Sequence, residues 1–302
     1  MKMKPKTDLA IKLSYAPDEH LLSAWMRYNF RCGFAYFSFG KCLDHWGLPL
    51  QHLKAQRVSG SVLSKIITQV TNSDTEMLSA LLERTNLRLW QLSKGYTDDL
   101  SALNNLMPRA NIEDNEFVFS TSWHLCTQCI KGDRQELGYC YWHRAHQLPS
   151  ITHCLKHNAP LKTHKSLGSI NRLALPNAYL NEELDEYQNC IEFLEWSKFI
   201  AKINTALILD ASLAERLRNQ IKNHLNLPDL GKYNHKERYQ KITDKMFTDI
   251  GEKLTLHLFK KIRGKNRNII WIILSGRQTR ESILSPVYWL TVLFWLKDKL
   301  EF

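Results

Sequence analysis

The chain has 302 residues, of which 44% are apolar and 11% aromatic, so it can bury a substantial core, and extensive disorder is excluded for most of its length. Lys and Arg number 41 against 30 Asp and Glu, which gives a formal net charge of +11. A basic balance of this size favours a polyanionic partner, and double-stranded DNA is the partner that we expect.

Two further features exclude other classes of protein. The longest apolar stretch, residues 287–296, is far shorter than the ~20 residues that cross a membrane, so we predict a buried helix there and no membrane partner. Residues 1–14 lack the apolar region of a secretion signal, and the seven cysteines, an odd number, do not indicate a disulfide framework. We therefore expect a cytoplasmic protein whose clustered cysteines bind metal.

The N-terminal third is predicted to be helical. Residues 18–31 carry apolar side chains at helical spacing after the start signals Pro17 and Asp18, and a short second helix is predicted over 37–46. Residues 61–93 are predicted to form three short helices joined by polar turns. This pattern fits a helix-turn-helix unit that reads DNA, and it fits a small helical bundle equally well.

Two pairs of candidate metal ligands follow a polar linker at 98–114. Cys126 and Cys129 form a CxxC pair. Cys154 and His157 form a CxxH pair, and 24 residues separate the two pairs. Two residues between ligands let a tight turn direct both side chains at one ion, and two such pairs complete the tetrahedral shell that zinc prefers. Because four protein ligands leave no position for an activated water, we predict one structural Zn²⁺ in this segment.

Other potential ligands lie between the two pairs. His143 and His146 would share one face of a helix, but we favour packing or exposure to solvent for them, because the two pairs already satisfy the metal. His153 is a candidate for a contact to the ligands or to DNA. The sequence leaves open whether Cys140, His143 or His146 contributes to the metal site.

The remainder of the chain returns to helical patterns after an irregular stretch. We predict helices over 181–203, 212–225, 244–262 and 287–300. The predicted fold class is therefore mainly α. Its three parts are an N-terminal helical domain with a helix-turn-helix-like unit (1–115), a central zinc-binding module with little regular structure (116–165), and a C-terminal helical basic domain (166–302).

The zinc segment resembles the signature of the TniQ/TnsD family of transposition-targeting proteins. In that family a CxxC pair is followed by a Gly, an aromatic-Trp pair, a Leu-Pro stretch, a CxxH pair and a closing Leu. The residues at those places are Cys126, Cys129, Gly138, Tyr141, Trp142, Gln147, Leu148, Pro149, Cys154, His157 and Leu161. The N-terminus also resembles the family's opening helix, through Pro17, Asp18, Glu19, Leu22, Ser23 and Arg27.

This resemblance implies a target selector of a transposition system. Such proteins recognise an insertion site directly or dock onto an RNA-guided CRISPR effector complex, and they recruit an AAA+ ATPase that in turn engages the transposase. The family has no catalytic residues to carry over, so the resemblance implies a protein that is not an enzyme. The chain departs from the family at Thr127 and Leu155, where Pro is usual, and it lacks the second cysteine cluster that follows the CxxH pair in many members.

Two basic stretches without acidic residues, 137–181 and 253–280, are the predicted contacts to DNA phosphates. The candidates in them are Arg144, Lys156, Lys162, Lys165, Lys260, Lys261, Arg263, Lys265 and Arg267. A solvated helix end is the alternative for 260–265. The candidates for base readout lie in the third helix of the 61–93 unit and are Arg84 and Arg88, with Asn86 and Gln91.

Two alternative functions remain at this point. A zinc-supported nuclease would need a catalytic histidine, for which His143, His146 and His153 are available, but it would also need carboxylates for a catalytic cation. Carboxylates are absent from 137–181. The other alternative is a zinc-containing, DNA-binding transcription regulator, which the sequence does not separate from a targeting protein.

Overall fold

The computed structural model describes residues 15–33, 41, 44–45, 47, 66, 83–93, 122–163, 174–210, 212–225, 236–259, 268–274 and 285–302. Over these ranges the chain is mainly helical, as predicted, and the strands are only two residues long. The helices are α1 (Leu21–Arg31), α2 (Leu87–Trp90), α3 (Thr127–Leu137), α4 (Ile191–Leu209), α5 (Leu213–His224), α6 (Lys236–Ile250), α7 (Glu252–Leu258), α8 (Ile269–Leu274) and α9 (Val287–Trp295). The strands are β1 (His153–Cys154), β2 (Ala159–Pro160), β3 (Lys162–Thr163) and β4 (Asp185–Glu186).

The predicted N-terminal helix is confirmed as α1, but it begins three residues later than expected. Asp18 has a positive φ of 56°, and Glu19 forms an antiparallel bridge with His143, so this segment is held in non-helical geometry by the central module. His20 is the N-cap residue, and its Nδ1 accepts a hydrogen bond from the backbone N–H of Leu22 at 3.2 Å.

The predicted helix-turn-helix unit lies largely outside the described residues, as does the helix predicted over 37–46. Its third helix is α2, which ends at Trp90. Leu87, Leu89 and Trp90 are buried, so α2 packs into the interior on most of its surface. The helix-turn-helix itself stays a prediction.

The helices predicted over 181–203 and 244–262 have different limits in the structure, and the helix predicted over 287–300 ends earlier, at Trp295. The helix predicted over 181–203 begins only at Ile191, because residues 185–186 form β4 and pair with β3. The helix predicted over 244–262 is divided by Gly251, whose φ of 88° is a left-handed conformation that few other residues adopt. Local helix propensity is overridden by strand pairing in the first case and by a backbone turn in the second.

The C-terminal helices form one apolar core. The predicted apolar helix is confirmed as α9, which is buried on nearly all sides, and the sequence reasoning missed α8, which packs against α6 and α9. Thr243 of α6 donates a hydrogen bond to Asn268, and Asn268 in turn caps α8 by accepting the N–H of Trp271 at 2.9 Å. No helix within the described ranges is long and apolar enough to cross a membrane.

A single cluster of buried side chains contains residues from all three predicted domains. Leu89 of α2, Cys126 and Cys154 of the central module, and the apolar faces of α4–α9 belong to it. A hydrogen bond of 2.7 Å from Arg218 of α5 to the carbonyl of Gln91 adds a polar contact between the first and third parts. The division at residues 115 and 165 stays a prediction.

A buried ion pair holds the start of α1 in place. Glu19 accepts hydrogen bonds from Arg27 at 2.8 Å and 2.6 Å, and its carboxylate also accepts the backbone N–H of Ala16 at 3.0 Å. Both charged side chains are buried. Such a pair contributes little net stability over an apolar substitute, but removing one partner leaves the other charge buried and uncompensated.

We expect Glu19→Gln to lower the free energy of unfolding by about 3–5 kcal/mol, because Arg27 would keep its charge without a counterion. Urea denaturation followed by tryptophan fluorescence measures this difference. The matched control is Glu195→Gln, which removes a half-exposed pair with Lys198 and should cost less than about 1 kcal/mol. Equal losses in the two variants would contradict the importance that we assign to the buried pair.

Candidate metal centre

The first pair of predicted ligands lies at the start of α3. Cys126 is the N-cap residue, with extended backbone geometry, and Cys129 lies in the first helical turn. The N–H of Ile130 donates to the carbonyl of Cys126 at 3.1 Å, so the CxxC pair spans one helical turn instead of the isolated tight turn that we expected. Helical geometry brings residues three apart onto the same face, which directs both sulfur atoms to one side.

The second pair lies on a hairpin. Cys154 is in β1 and is paired with Ala159 of β2, and His157 lies in the connecting turn. Asn158 closes this turn with a φ of 48°, a conformation that Asn adopts more readily than most residues. The turn therefore brings the imidazole of His157 back over the sulfur of Cys154, where their Nδ1 and Sγ atoms are 3.5 Å apart.

The four side chains converge on one point. His157 Nδ1 is 3.5 Å from Cys126 Sγ and 3.4 Å from Cys129 Sγ, and the sulfurs of Cys129 and Cys154 are 3.6 Å apart. All four ligand atoms lie within 4.8 Å of one another. In a tetrahedron with Zn–S bonds of about 2.3 Å and Zn–N bonds of about 2.0 Å, neighbouring ligand atoms are about 3.5–3.8 Å apart. These residues therefore fit a tetrahedral metal ion.

The three cysteines shift one another's pKa values in opposite directions. Hydrogen bonds from Cys129 and Cys154 stabilise the thiolate of Cys126 and lower its pKa. The same interactions, together with burial, raise the pKa of Cys129 and of Cys154. A bound metal ion would take the place of the thiol protons, because cysteine binds a metal ion as the thiolate.

Comparison with known proteins identifies the family. The TniQ family model matches residues 10–161, which is half of the chain and includes all four ligands. The chain belongs to the TniQ family. It is therefore a transposition-associated protein of a family of non-catalytic adaptors. None of the curated proteins with which it was compared matches it.

Of the other candidate ligands of this TniQ protein, Cys140 and His143 face different partners, and His146 contacts the sulfur of Cys129. Cys140 Sγ donates to Asn177 Oδ1 at 3.2 Å, and His143 Nε2 is 2.9 Å from Asp133 Oδ2. His146 Nε2 is 3.8 Å from Cys129 Sγ, and burial lowers the pKa of His146 to about 3, so this imidazole is neutral. In the described part of the chain, the Cys/His cluster is the one group of three or more such residues close enough to hold a metal ion.

Sequence reasoning missed the contacts around His143. Its imidazole lies between Asp133, on α3, and Asp18, whose Oδ2 is 3.9 Å from His143 Nδ1. Both carboxylates come from outside the acid-free stretch 137–181, so counting acids along the sequence did not reveal them. Gly138 is the C-cap residue of α3 and has a φ of 77°. A glycine at this place is a sequence signal for a helix end, so it could have predicted α3 and placed Asp133 on the same helix as Cys129.

The two segments that carry the family resemblance pack against each other. Trp142 accepts the N–H of His20 at 2.8 Å and donates its own N–H to the hydroxyl of Ser23 at 2.9 Å. The side chain of Gln147 joins the backbone of His124 at 3.0 Å and 2.8 Å. The N-terminal helix of the TniQ region is therefore docked directly on the metal-binding module.

Three candidate DNA contacts already have partners within the chain. Arg144 donates to Asp18 at 3.1 Å, Lys162 forms an ion pair with Glu186 at 3.2 Å, and Arg84 donates to the carbonyl of Ala16 at 3.1 Å. These interactions join Arg144 and Arg84 to the N-terminal segment, and β3 to β4. The proposed roles of Arg84, Arg144 and Lys162 in binding DNA stay predictions.

The remaining candidates differ in exposure. Lys156 is exposed in the hairpin turn next to the metal ligands, and Arg88 is partly buried on α2. Asn86 and Gln91 are buried, and Asn86 donates to the carbonyl of Gln147 at 2.9 Å, which contradicts their expected access to base edges. The candidates outside the described residues are Lys165, Lys260, Lys261, Arg263, Lys265 and Arg267.

We expect the purified wild-type chain to contain one zinc ion. The Cys126→Ser and Cys154→Ser variants should lose the zinc and unfold at a lower temperature, because each substitution removes a thiolate ligand. Elemental analysis and thermal denaturation measure the two effects. Cys140→Ser is the matched control, since Cys140 is also buried but its sulfur faces Asn177. A loss of zinc from the control equal to that in the ligand variants would contradict this assignment.

Proposed function

We propose that this protein is the DNA-binding target selector of a transposition system. It recognises the insertion site on double-stranded DNA, or a complex such as a CRISPR effector already bound there. It then recruits an AAA+ ATPase regulator and, through it, the transposase. The observation that carries this proposal is membership of the TniQ family over a region in which the N-terminal helix and the metal-binding module form one docked unit.

The metal in this proposal is one structural Zn²⁺. Three sulfurs and one imidazole nitrogen are ligands typical of structural zinc, and four protein ligands leave no position at which a water or substrate can bind. The three cysteines are buried, and His157 is partly buried. The ion would hold the first turn of α3 against the β1–β2 hairpin, and the chain would act by presenting surfaces, without performing a reaction at this site.

An adaptor without enzymatic activity is also favoured by the surroundings of His143. Its Nε2 atom is engaged by Asp133 at 2.9 Å, and the imidazole contacts the ring of Tyr141 in a tilted arrangement with ring centroids 4.3 Å apart. A zinc-supported nuclease would instead need a histidine with access to a scissile phosphate and a second cation site built from carboxylates. The proposal therefore gives His143 a role in holding Asp18 and α3 together.

DNA binding in this proposal rests on the basic charge of the chain. The densest run of cations, Lys260 to Arg267, lies outside the described residues, and it follows α7 directly. Lys156 is an exposed cation of the described residues beside the metal ligands. Phosphate contacts of this kind give an affinity that falls steeply with salt, and they do not depend on the base sequence.

The variant for this test carries alanine at five positions together: Lys260, Lys261, Arg263, Lys265 and Arg267. We expect it to bind DNA more weakly than the wild type. We also expect the slope of log Kobs against log salt to decrease by about 0.9 for each phosphate that the variant no longer neutralises. Fluorescence anisotropy with a labelled duplex at several salt concentrations measures that slope. The control variant removes the same number of positive charges elsewhere, by alanine at five other exposed lysines: Lys222, Lys241, Lys245, Lys297 and Lys299. The same decrease in slope for both variants would show that only net charge matters.

Recruitment is tested with the purified AAA+ ATPase of the transposition system to which the proposal assigns this protein. We expect the immobilised, zinc-loaded chain to retain the purified ATPase in the presence of ATP, and we expect the metal-free Cys154→Ser variant to retain less of it, because the metal organises the docked unit. If the wild-type chain retains no ATPase with or without target DNA, the recruitment role is wrong, and a DNA-binding regulator becomes the better account.

A further inference from the structure

An open groove lies beside the N-terminal helix, and neither the metal ligands nor the candidate DNA contacts among the described residues line it. Its volume is about 440 Å³. One wall is the C-terminal half of α1, and the other is the loop after α3 together with the segment around a 3₁₀ helix at Pro176–Tyr179. The residues that line it include Arg27, Phe30, Arg31, Tyr139, Leu175 and Ala178.

The groove is held open by hydrogen bonds in its second wall. The indole Nε1 of Trp142 donates to the carbonyl of Ala174 at 3.0 Å, and Cys140 Sγ donates to Asn177 Oδ1 at 3.2 Å. These contacts tie the 174–178 segment to the loop that follows α3. The shape is therefore set by packed residues, and a ligand would meet a largely preformed surface.

Exposed apolar side chains occur in this groove and close to its lining residues along the chain. Phe30 lines it and is 36% exposed. Leu137 and Leu180 lie two residues from the lining residues Tyr139 and Ala178, and their side chains are 41% and 38% exposed. These three are half of the exposed large apolar side chains in the part of the chain that the structure describes. An exposed apolar side chain in a groove, with further exposed apolar residues next to its walls in sequence, favours an interaction site.

The charge of the groove indicates the partner. Its lining contains two arginines and no carboxylate. Arg27 is neutralised by Glu19 and lies 4.7 Å from the ring centroid of Tyr139. Arg31 is exposed at the end of α1, and no acidic side chain of the described residues pairs with it. An apolar floor with one unneutralised cation at its edge suits a protein segment that carries both an apolar and an acidic side chain.

We propose that this groove binds an acidic segment of a partner protein, which inserts one large apolar side chain between α1 and Ala178 and places a carboxylate beside Arg31. The partner is the AAA+ ATPase, so this inference rests on the proposed function and locates its protein-binding surface. A volume of about 440 Å³ holds a large side chain, and an open groove lets the rest of the segment pass across the rim. DNA fits this surface poorly, since phosphates would meet apolar side chains.

The test measures the affinity of the full-length, zinc-loaded chain for the purified ATPase. Ala178→Trp fills the groove, and Arg31→Glu reverses the charge at its edge. The matched controls are Asn223→Trp and Lys222→Glu on α5, which are exposed and take no part in the groove. Zinc content and circular dichroism confirm that all four variants fold. We expect each groove variant to lose at least tenfold in affinity, while both controls bind like the wild type.

Other outcomes separate the two proposals. Wild-type affinity in both groove variants would overturn the groove as the docking site and leave recruitment intact. A wild-type chain that does not bind the ATPase would overturn recruitment, and the groove's assigned partner with it. If the wild type is a dimer in solution and Ala178→Trp makes it monomeric, the occupant is a second copy of this chain, and the proposed partner is wrong.

Discussion

The convergence of four ligand atoms on one point is the constraint on which the rest of the TniQ region depends. Cys126 and Cys129 come from the first turn of α3, and Cys154 and His157 come from a hairpin that would otherwise have only four paired residues. So small a hairpin is not stable alone in water. A shared cation would supply the missing free energy, because the unfolded chain has no preformed site and metal binding therefore favours the folded state.

The position of α3 then determines what surrounds it. The three sulfurs belong to the same buried cluster as the C-terminal helices, so metal ligation and apolar packing stabilise one continuous interior. One helical turn beyond Cys129, Asp133 of α3 holds His143, and the bridge between His143 and Glu19 fixes the segment that leads into α1. The groove beside α1 follows from this docking, since one of its walls is α1 itself.

The ligands could be predicted from the sequence because CxxC and CxxH spacing is a local requirement of tetrahedral coordination. The helical class and the buried α9 were also accessible, since both follow from apolar spacing. The carboxylates beside His143 were not, because Asp18 reaches it across more than a hundred residues of chain. The predicted start of the helix at 181 was wrong for a similar reason, because β4 pairs with β3 from an earlier part of the chain. The interaction of Arg144 with Asp18 also joins residues that are far apart in the sequence.

X-ray absorption at the zinc edge of the purified protein tests the central claim most directly. The account predicts a first coordination shell of three sulfurs at about 2.3 Å and one nitrogen at about 2.0 Å, with the multiple-scattering pattern of a single imidazole. A shell of nitrogen and oxygen atoms only, or one that includes a water oxygen in place of a sulfur, would contradict a closed site formed by Cys126, Cys129, Cys154 and His157.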